Sequence, residues 1–146
     1  MLRSIYLSTE QSSNLLARAQ ESLPDEVVAL LFGVISDNIV FTKRIEYLKN
    51  ESQSTRTSFL INPEVQYSLL MQADERGEEM VGIFHSHPAP PRPSTSDIKN
   101  MQLNPVVWIV ASKTSGNWIM KAYVLEKESP VEIQIQDESQ TTASAT

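Results

Sequence analysis

Apolar and polar positions along this chain switch repeatedly between a period of two and a period of about 3.6. Ser4–Leu7 is a short strand candidate, followed by Ser8 with Gln11 three residues later, the spacing of a capping box. Leu15, Leu16, Ala19 and Leu23 recur at helical intervals, so Thr9–Ser22 is predicted as an amphipathic helix that Pro24 ends. Val27–Ile35 is dense in apolar and β-branched residues and too short for a typical helix, so it reads as a buried strand. Ser36–Asp37–Asn38 supplies a turn and Ile39–Leu48 a returning strand, which together make a hairpin. Lys49–Thr57 is polar and aperiodic, a loop, and Ser58–Ile61 is a short strand candidate.

Asn62–Pro63 places a cap and an N1 proline in the right order for a helix start. Val65, Leu69, Leu70 and Ala73 would form that helix's buried face, and Gly77 would end it. Met80–Phe84 is a further core strand, leading through a proline-rich loop, Pro88–Pro93, to a short helix from Ser94. Val106–Ala111 and Trp118–Leu125 read as strands joined by the turn Ser112–Asn117, with Val131–Ile135 as a last strand. Trp108, Trp118, Met101 and Met120 are assigned to core packing. A mixed β-sheet flanked by helices, α/β or α+β, is the class this order implies. Residues 1–135 make one domain, and Gln136–Thr146, which lacks large apolar residues, reads as a flexible polar tail.

Charge and composition narrow the partners. Twelve basic against eighteen acidic residues give a net charge of −6, with no basic stripe of the kind a nucleic-acid binder carries. There is no cysteine, which removes disulfides, thiolate metal sites and cysteine nucleophiles. No apolar stretch is long enough to span a bilayer, and the first residues do not resemble a signal peptide, so a soluble cytoplasmic domain is expected.

The chemistry concentrates at the chain's two histidines, His85 and His87, two residues apart. On a strand, positions i and i+2 share a face, which sets two imidazoles side by side as a divalent metal requires. Asp97 follows ten residues after His87, across a loop stiffened by prolines. Two imidazoles and a carboxylate with an open fourth position favour a catalytic zinc ion. Ser94-x-x-Asp97 is equally the pattern of a helix cap with an acidic N3 residue, and both roles can hold at once. Glu26, a carboxylate at the entrance of an apolar strand, is either an ordinary surface charge or a partly desolvated group suited to proton transfer. Spacing alone does not decide between them.

Taken together, P-D-E-V-V-A-L-L-F-G at 24–33, V-G-I-F-H-S-H-P at 81–88 and S-T-S-D at 94–97 resemble the JAMM (MPN+) metalloprotease family. The resemblance runs from about residue 4 to 125. It departs from the family in one respect: six residues separate His87 from Ser94, one fewer than the commonest spacing. It implies the MPN/JAMM fold, an α/β sandwich of cytidine-deaminase-like architecture. It further implies zinc held by His85, His87 and Asp97, Glu26 as general base and acid, and Ser94 as a donor to the oxyanion.

The resemblance also implies a substrate: the bond after the C-terminal Gly-Gly of ubiquitin or a ubiquitin-like modifier, typically an isopeptide to lysine. Lys49–Ile61 would receive the Gly-Gly tail as an added strand, or is simply a solvated loop. The short Ser112–Asn117 turn lacks the long insertion of linkage-selective members. The chain is therefore similar to a minimal, archaeal-type enzyme, akin to the catalytic core of the proteasome-lid deubiquitinase, which would link it to the proteasome. Alternatives from the same resemblance are a peptidase that processes a sulfur-carrier ubiquitin-like protein, a RadC-like protein, which the acidic balance disfavours, and a non-catalytic MPN scaffold.

Overall fold

In chain order the elements are β1 (Ser4–Leu7), α1 (Thr9–Ser22), β2 (Val28–Ser36), β3 (Ile39–Leu48), α2 (Pro63–Glu75), β4 (Glu79–Ser86), α3 (Thr95–Leu103), β5 (Val107–Thr114), β6 (Asn117–Glu126) and β7 (Ser129–Asp137). The structure is a computed structural model and describes residues 1–52, 54, 59–87, 90–114 and 116–137. The strand order is β1-β3-β2-β4-β5-β6-β7, and it closes on itself. β1 is the seam, parallel to β3 on one side and to β7 on the other. The expected mixed sheet with flanking helices is present, and it closes into a barrel rather than forming one layer of a sandwich. Closure rests on Ser4–Leu7, which is only four residues long yet pairs on both its edges, with β3 and with β7 from the far end of the chain, so no edge of the described sheet is left open.

Two cores form on the two faces of the sheet. One gathers residues from every strand, among them Ile5, Leu31, Val40, Phe84, Ile109, Val124 and Ile133, with Leu15 of α1 against it, and fills the barrel. The other lies outside β2, β4 and β5, where Leu30, Phe32, Ile83, Trp108 and Val110 meet Ala73 of α2 and Met101 of α3. A bulge in β4 decides which of its residues face which core. Leu31 pairs with Gly82 and Phe32 with Met80, so Val81 is an extra residue. Val81 turns into the barrel while Ile83 turns out, although both positions are odd. Beyond the bulge the alternation is regular, and it carries His85 to the outer face beneath the α2–α3 side.

Helix α1 has the predicted bounds, with Ser8 and Gln11 forming the capping box. Leu15 and Ala19 are buried, whereas Leu23 lies beyond the helix and is exposed. Helix α2 starts at the Asn62 cap as predicted, but of its expected face only Ala73 is buried; Val65 and Leu70 are exposed. The helix touches the barrel through one narrow line of contact, so helical spacing identified the element without identifying how much of it is covered. Phe59–Ile61 is not a strand; Ser58 and residues 53 and 55–57 of the predicted loop lie outside the described residues. The hairpin expected across Ser112–Asn117 is tighter, because β5 runs to Thr114 and β6 starts at Asn117. Trp108 and Met101 are fully buried, while Trp118 and Met120 are partly buried against the barrel core. β7 continues through Gln136 and Asp137, which pair with Tyr6 and Leu7, and the rest of the predicted tail is outside the described residues. No described helix is long and apolar enough to cross a membrane.

Candidate metal centre

Three chain segments bring the candidate residues together. His85 is the penultimate residue of β4 and fully buried, and His87 leaves the strand end, its N–H donating to the Ala111 carbonyl at 2.8 Å. Val28 stands opposite His85 in the β2–β4 register, so Glu26, two residues before Val28, lies beside the strand end. Ser86 fixes that approach: its Oγ accepts the Val27 N–H at 2.7 Å, and its own N–H donates to the Val27 carbonyl at 3.0 Å. Asp97 comes from the first turn of α3, where Ser94 is the N-cap and the two residues form a reciprocal capping box.

The resulting distances are short. Asp97 Oδ2 lies 3.4 Å from His85 Nε2 and 3.6 Å from His87 Nε2, and Glu26 Oε1 lies 3.4 Å from His85 Nδ1. Ligand atoms at the corners of a tetrahedral zinc site are separated by roughly 3.3–3.5 Å, given metal–ligand bonds of about 2.0–2.2 Å. As the side chains stand, no cluster of three or more such ligating residues among the described residues closes around a cation position. The His87 arm is the longer of the two. The donors nevertheless fit a divalent ion. His85 Nε2 is buried and has no hydrogen-bond partner, and it faces a carboxylate across a gap too wide for a good hydrogen bond. Two buried electron-pair donors held face to face are the arrangement a cation resolves.

Electrostatics point the same way. Burial pulls the His85 imidazole down, yet its contacts with Asp97 and Glu26 and their negative charges outweigh burial and lift its pKa to about 9. Burial pushes Asp97 up, and its pairing with His85 and its hydrogen bonds to Ser94 outweigh that and hold it at about 2. The site thus favours positive charge at His85 beside Asp97 and Glu26.

Glu26 is 4% exposed, so it is not a surface charge. Its Oε2 is buried without a hydrogen-bond partner. A polar cleft lined by Arg18, Tyr47, Asn50 and Glu26 opens between the ends of α1 and β3. Ser94 Oγ accepts the Asp97 N–H at 3.1 Å and lies 3.2 Å from Ser96 Oγ. On the other side of His85 the Phe59 ring packs at 4.9 Å, and Trp108 lies edge-on at 6.0 Å. Phe59, Ile61, Ile83 and Trp108 line an apolar hollow with Asn100 and Asn104 at its rim. A separate hollow over Tyr6 and Phe41 shares none of these residues.

Sequence reasoning brought out the two histidines, the aspartate, the serine and the glutamate, and the fold gathers them at one end of β4. It missed Ser86, Asn50 and Tyr123. Ser86 sat in view between the histidines, but its hydroxyl acts on the Val27 backbone, which no spacing announces. Tyr123, on β6, donates its hydroxyl to the Pro91 carbonyl at 2.7 Å and so ties the proline loop to the barrel.

Comparison with known proteins gives a consistent result. Residues 9–125 match the family model described as prokaryotic homologs of the JAB domain. A desampylase of Pyrococcus furiosus is 34% identical over 107 residues, covering 73% of this chain and 71% of that protein. A desampylase of Haloferax volcanii is 26% identical over 111 residues, covering 74% and 80%. The solution structure of a Desulfitobacterium hafniense protein superposes with a TM-score of 0.79 at 29% identity over 92% of each chain. A Salinibacter ruber protein shares the fold at a TM-score of 0.63 and 20% identity, over 94% and 93%.

Proposed function

From the premise that the chain belongs to the prokaryotic homologs of the JAB domain, of JAMM/MPN type, we infer that it is a zinc-dependent isopeptidase. Its substrate would be the bond after the C-terminal Gly-Gly of a ubiquitin-like modifier, the class of activity for which the two desampylase relatives are named. The observation that carries this reading is Asp97 Oδ2 within 3.6 Å of both His85 Nε2 and His87 Nε2, with His85 Nε2 buried and otherwise unpartnered.

His85, His87 and Asp97 would hold the ion. When bound, zinc supplies Lewis acidity, polarising the scissile carbonyl and acidifying water. Glu26 Oε2 accepts the proton that the attacking water loses and returns it to the lysine Nζ as the C–N bond breaks. The Ser94 hydroxyl accepts the Asp97 N–H, and its own proton donates to the developing oxyanion when Ser96 serves as the donor in the Ser94–Ser96 pair. Phe59 and Trp108 exclude water from one side of His85.

The substrate tail has a place beside these groups. Leu60 is bonded inward, its carbonyl accepting from Glu51 N–H at 2.9 Å. No hydrogen bond engages the backbone of Phe59 or Ile61 among the described residues. Those flanking groups are an edge to which an extended Gly-Gly tail adds as a strand, thin enough to run past Phe59 toward His85.

The test is hydrolysis of a ubiquitin-like protein joined through Gly-Gly to lysine, with and without a zinc chelator, for the wild type and Glu26→Gln. Cleavage abolished both by chelation and by the substitution is expected, with Glu26→Gln keeping its zinc. Full activity in Glu26→Gln would remove the proton-transfer role.

A further inference from the structure

In the polar stretch after β3, one side chain reaches both of its neighbours. Asn50 Nδ2 donates to the Glu26 carbonyl at 3.0 Å, while its Oδ1 accepts from the N–H groups of Leu60 and Ser52, each at 3.1 Å. The surroundings fix the amide's orientation, because the flipped amide would set donors against two N–H groups and an oxygen against a carbonyl. Asn50 therefore bridges the chain at Glu26 to the chain at Leu60, next to the Phe59 ring that packs on His85. Nothing in its sequence context, K-N-E-S-Q-S, marks it apart from an ordinary loop residue.

We propose that Asn50 is a positioning residue, whose amide couples the segment carrying the Glu26 carboxylate to the Phe59–Ile61 edge that receives the substrate's extended C-terminal tail. This rests on the tail-binding edge inferred above. The substrate's scissile carbonyl would be placed by the Phe59–Ile61 edge, whereas Glu26 is carried by the segment ahead of β2. Their relative placement has to be set by something that touches both. A misplacement of about 1 Å is enough to cost on the order of 10²-fold in rate. The bonds of Asn50 to Glu26 and Leu60 run to backbone groups on each side and not to the metal-ligand candidates.

Two substitutions separate its two arms. Asn50→Asp keeps an oxygen for the Leu60 N–H and removes the donor to the Glu26 carbonyl. Asn50→Ala removes both. With zinc-loaded full-length protein and a Gly-Gly–lysine conjugate, Asn50→Asp is expected to lower kcat roughly tenfold or more with little change in KM. Asn50→Ala is expected to lower kcat and raise KM as well, and both variants should retain wild-type zinc content. Amide hydrogen exchange reads the clamp without any turnover: the Leu60 N–H should be protected in wild type and Asn50→Asp and lose protection in Asn50→Ala. Wild-type kcat in Asn50→Asp, or unchanged Leu60 exchange in Asn50→Ala, would overturn the proposal. A wild type that binds zinc and cleaves no such conjugate would instead count against the isopeptidase reading, and the Leu60 exchange would still decide the clamp.

Discussion

Ser94 and Asp97 hold each other across the first turn of α3: Ser94 N–H donates to Asp97 Oδ2 at 2.8 Å, and Asp97 N–H donates to Ser94 Oγ at 3.1 Å. That same Oδ2 is the oxygen nearest both imidazoles. One carboxylate oxygen thus caps a helix and faces both imidazoles, so the cap aims the carboxylate at them.

The two roles of Ser94 can be pulled apart. Ser94→Ala should lose about 1 kcal/mol of stability through the missing cap, whereas Ser94→Gly should lose only a few tenths. Both should lose the oxyanion donor and with it roughly 10²–10³ in kcat. Urea denaturation beside steady-state kinetics checks this. Near-normal turnover in Ser94→Gly would reduce the serine to a cap.

Protonation of the centre gives the metal-free protein a distinctive pH profile. His85 is raised above its ordinary value to about 9, so its contribution to stability is full below about 6.5 and is lost as pH climbs through about 9. Asp97 is lowered to about 2, so its contribution is full above about 3.8 and is lost as pH falls through about 2. Denaturation midpoints of chelated protein should therefore decline from pH 6.5 to 9. The zinc-loaded protein, in which the ion replaces the proton at His85, should not share that decline. Parallel profiles for the two forms would be the contrary result.

Tyr123 makes the one hydrogen bond found between residues 90–93 and the barrel among the described residues, to the Pro91 carbonyl. Prolines at 90, 91 and 93 have no N–H with which to replace it. Tyr123→Phe keeps the buried ring and deletes only the hydroxyl, at a cost of about 1 kcal/mol. Because this loop delivers Ser94 and Asp97, zinc affinity should fall at least threefold in competition with a chromophoric chelator. An unchanged affinity would confine the tyrosine to packing.

Gly33 lies where β2 and β3 shift register, and a Cβ there would sit 1.9 Å from the Phe41 carbonyl oxygen. Backbone must move to admit it. Gly33→Ala should destabilise by about 1–3 kcal/mol, the range of an overpacked site. A midpoint in urea equal to the wild type would contradict that contact.

Much of this was legible in the residues, and the parts that were not share a cause. Ser8/Gln11, Asn62-Pro63 and Ser94/Asp97 announce helix starts because caps are local hydrogen bonds between neighbours in sequence. Asp37–Asn38 announces its hairpin because both residues tolerate the positive φ they adopt. Lys127–Glu128 adopts positive φ as well, without turn-forming residues, and so the start of β7 at Ser129 went unread. Barrel closure depends on β1 meeting β7 from the far end of the chain, and the exposure of Val65 and Leu70 depends on how α2 seats on the barrel. Neither relation is encoded in local pattern. In the site, donor types and spacing singled out His85, His87 and Asp97 as candidates, while Ser86, Asn50 and Tyr123 act through backbone groups remote in sequence.

The most direct measurement is the zinc content of wild type and His87→Ala after metal loading and gel filtration, with cleavage of a Gly-Gly–lysine conjugate assayed on the same samples. About one zinc per chain with cleavage in the wild type, and loss of both in a folded His87→Ala, is the expected result. A wild type that retains no zinc, or a His87→Ala variant that keeps its ion and its activity, would contradict a metal centre built on His85, His87 and Asp97.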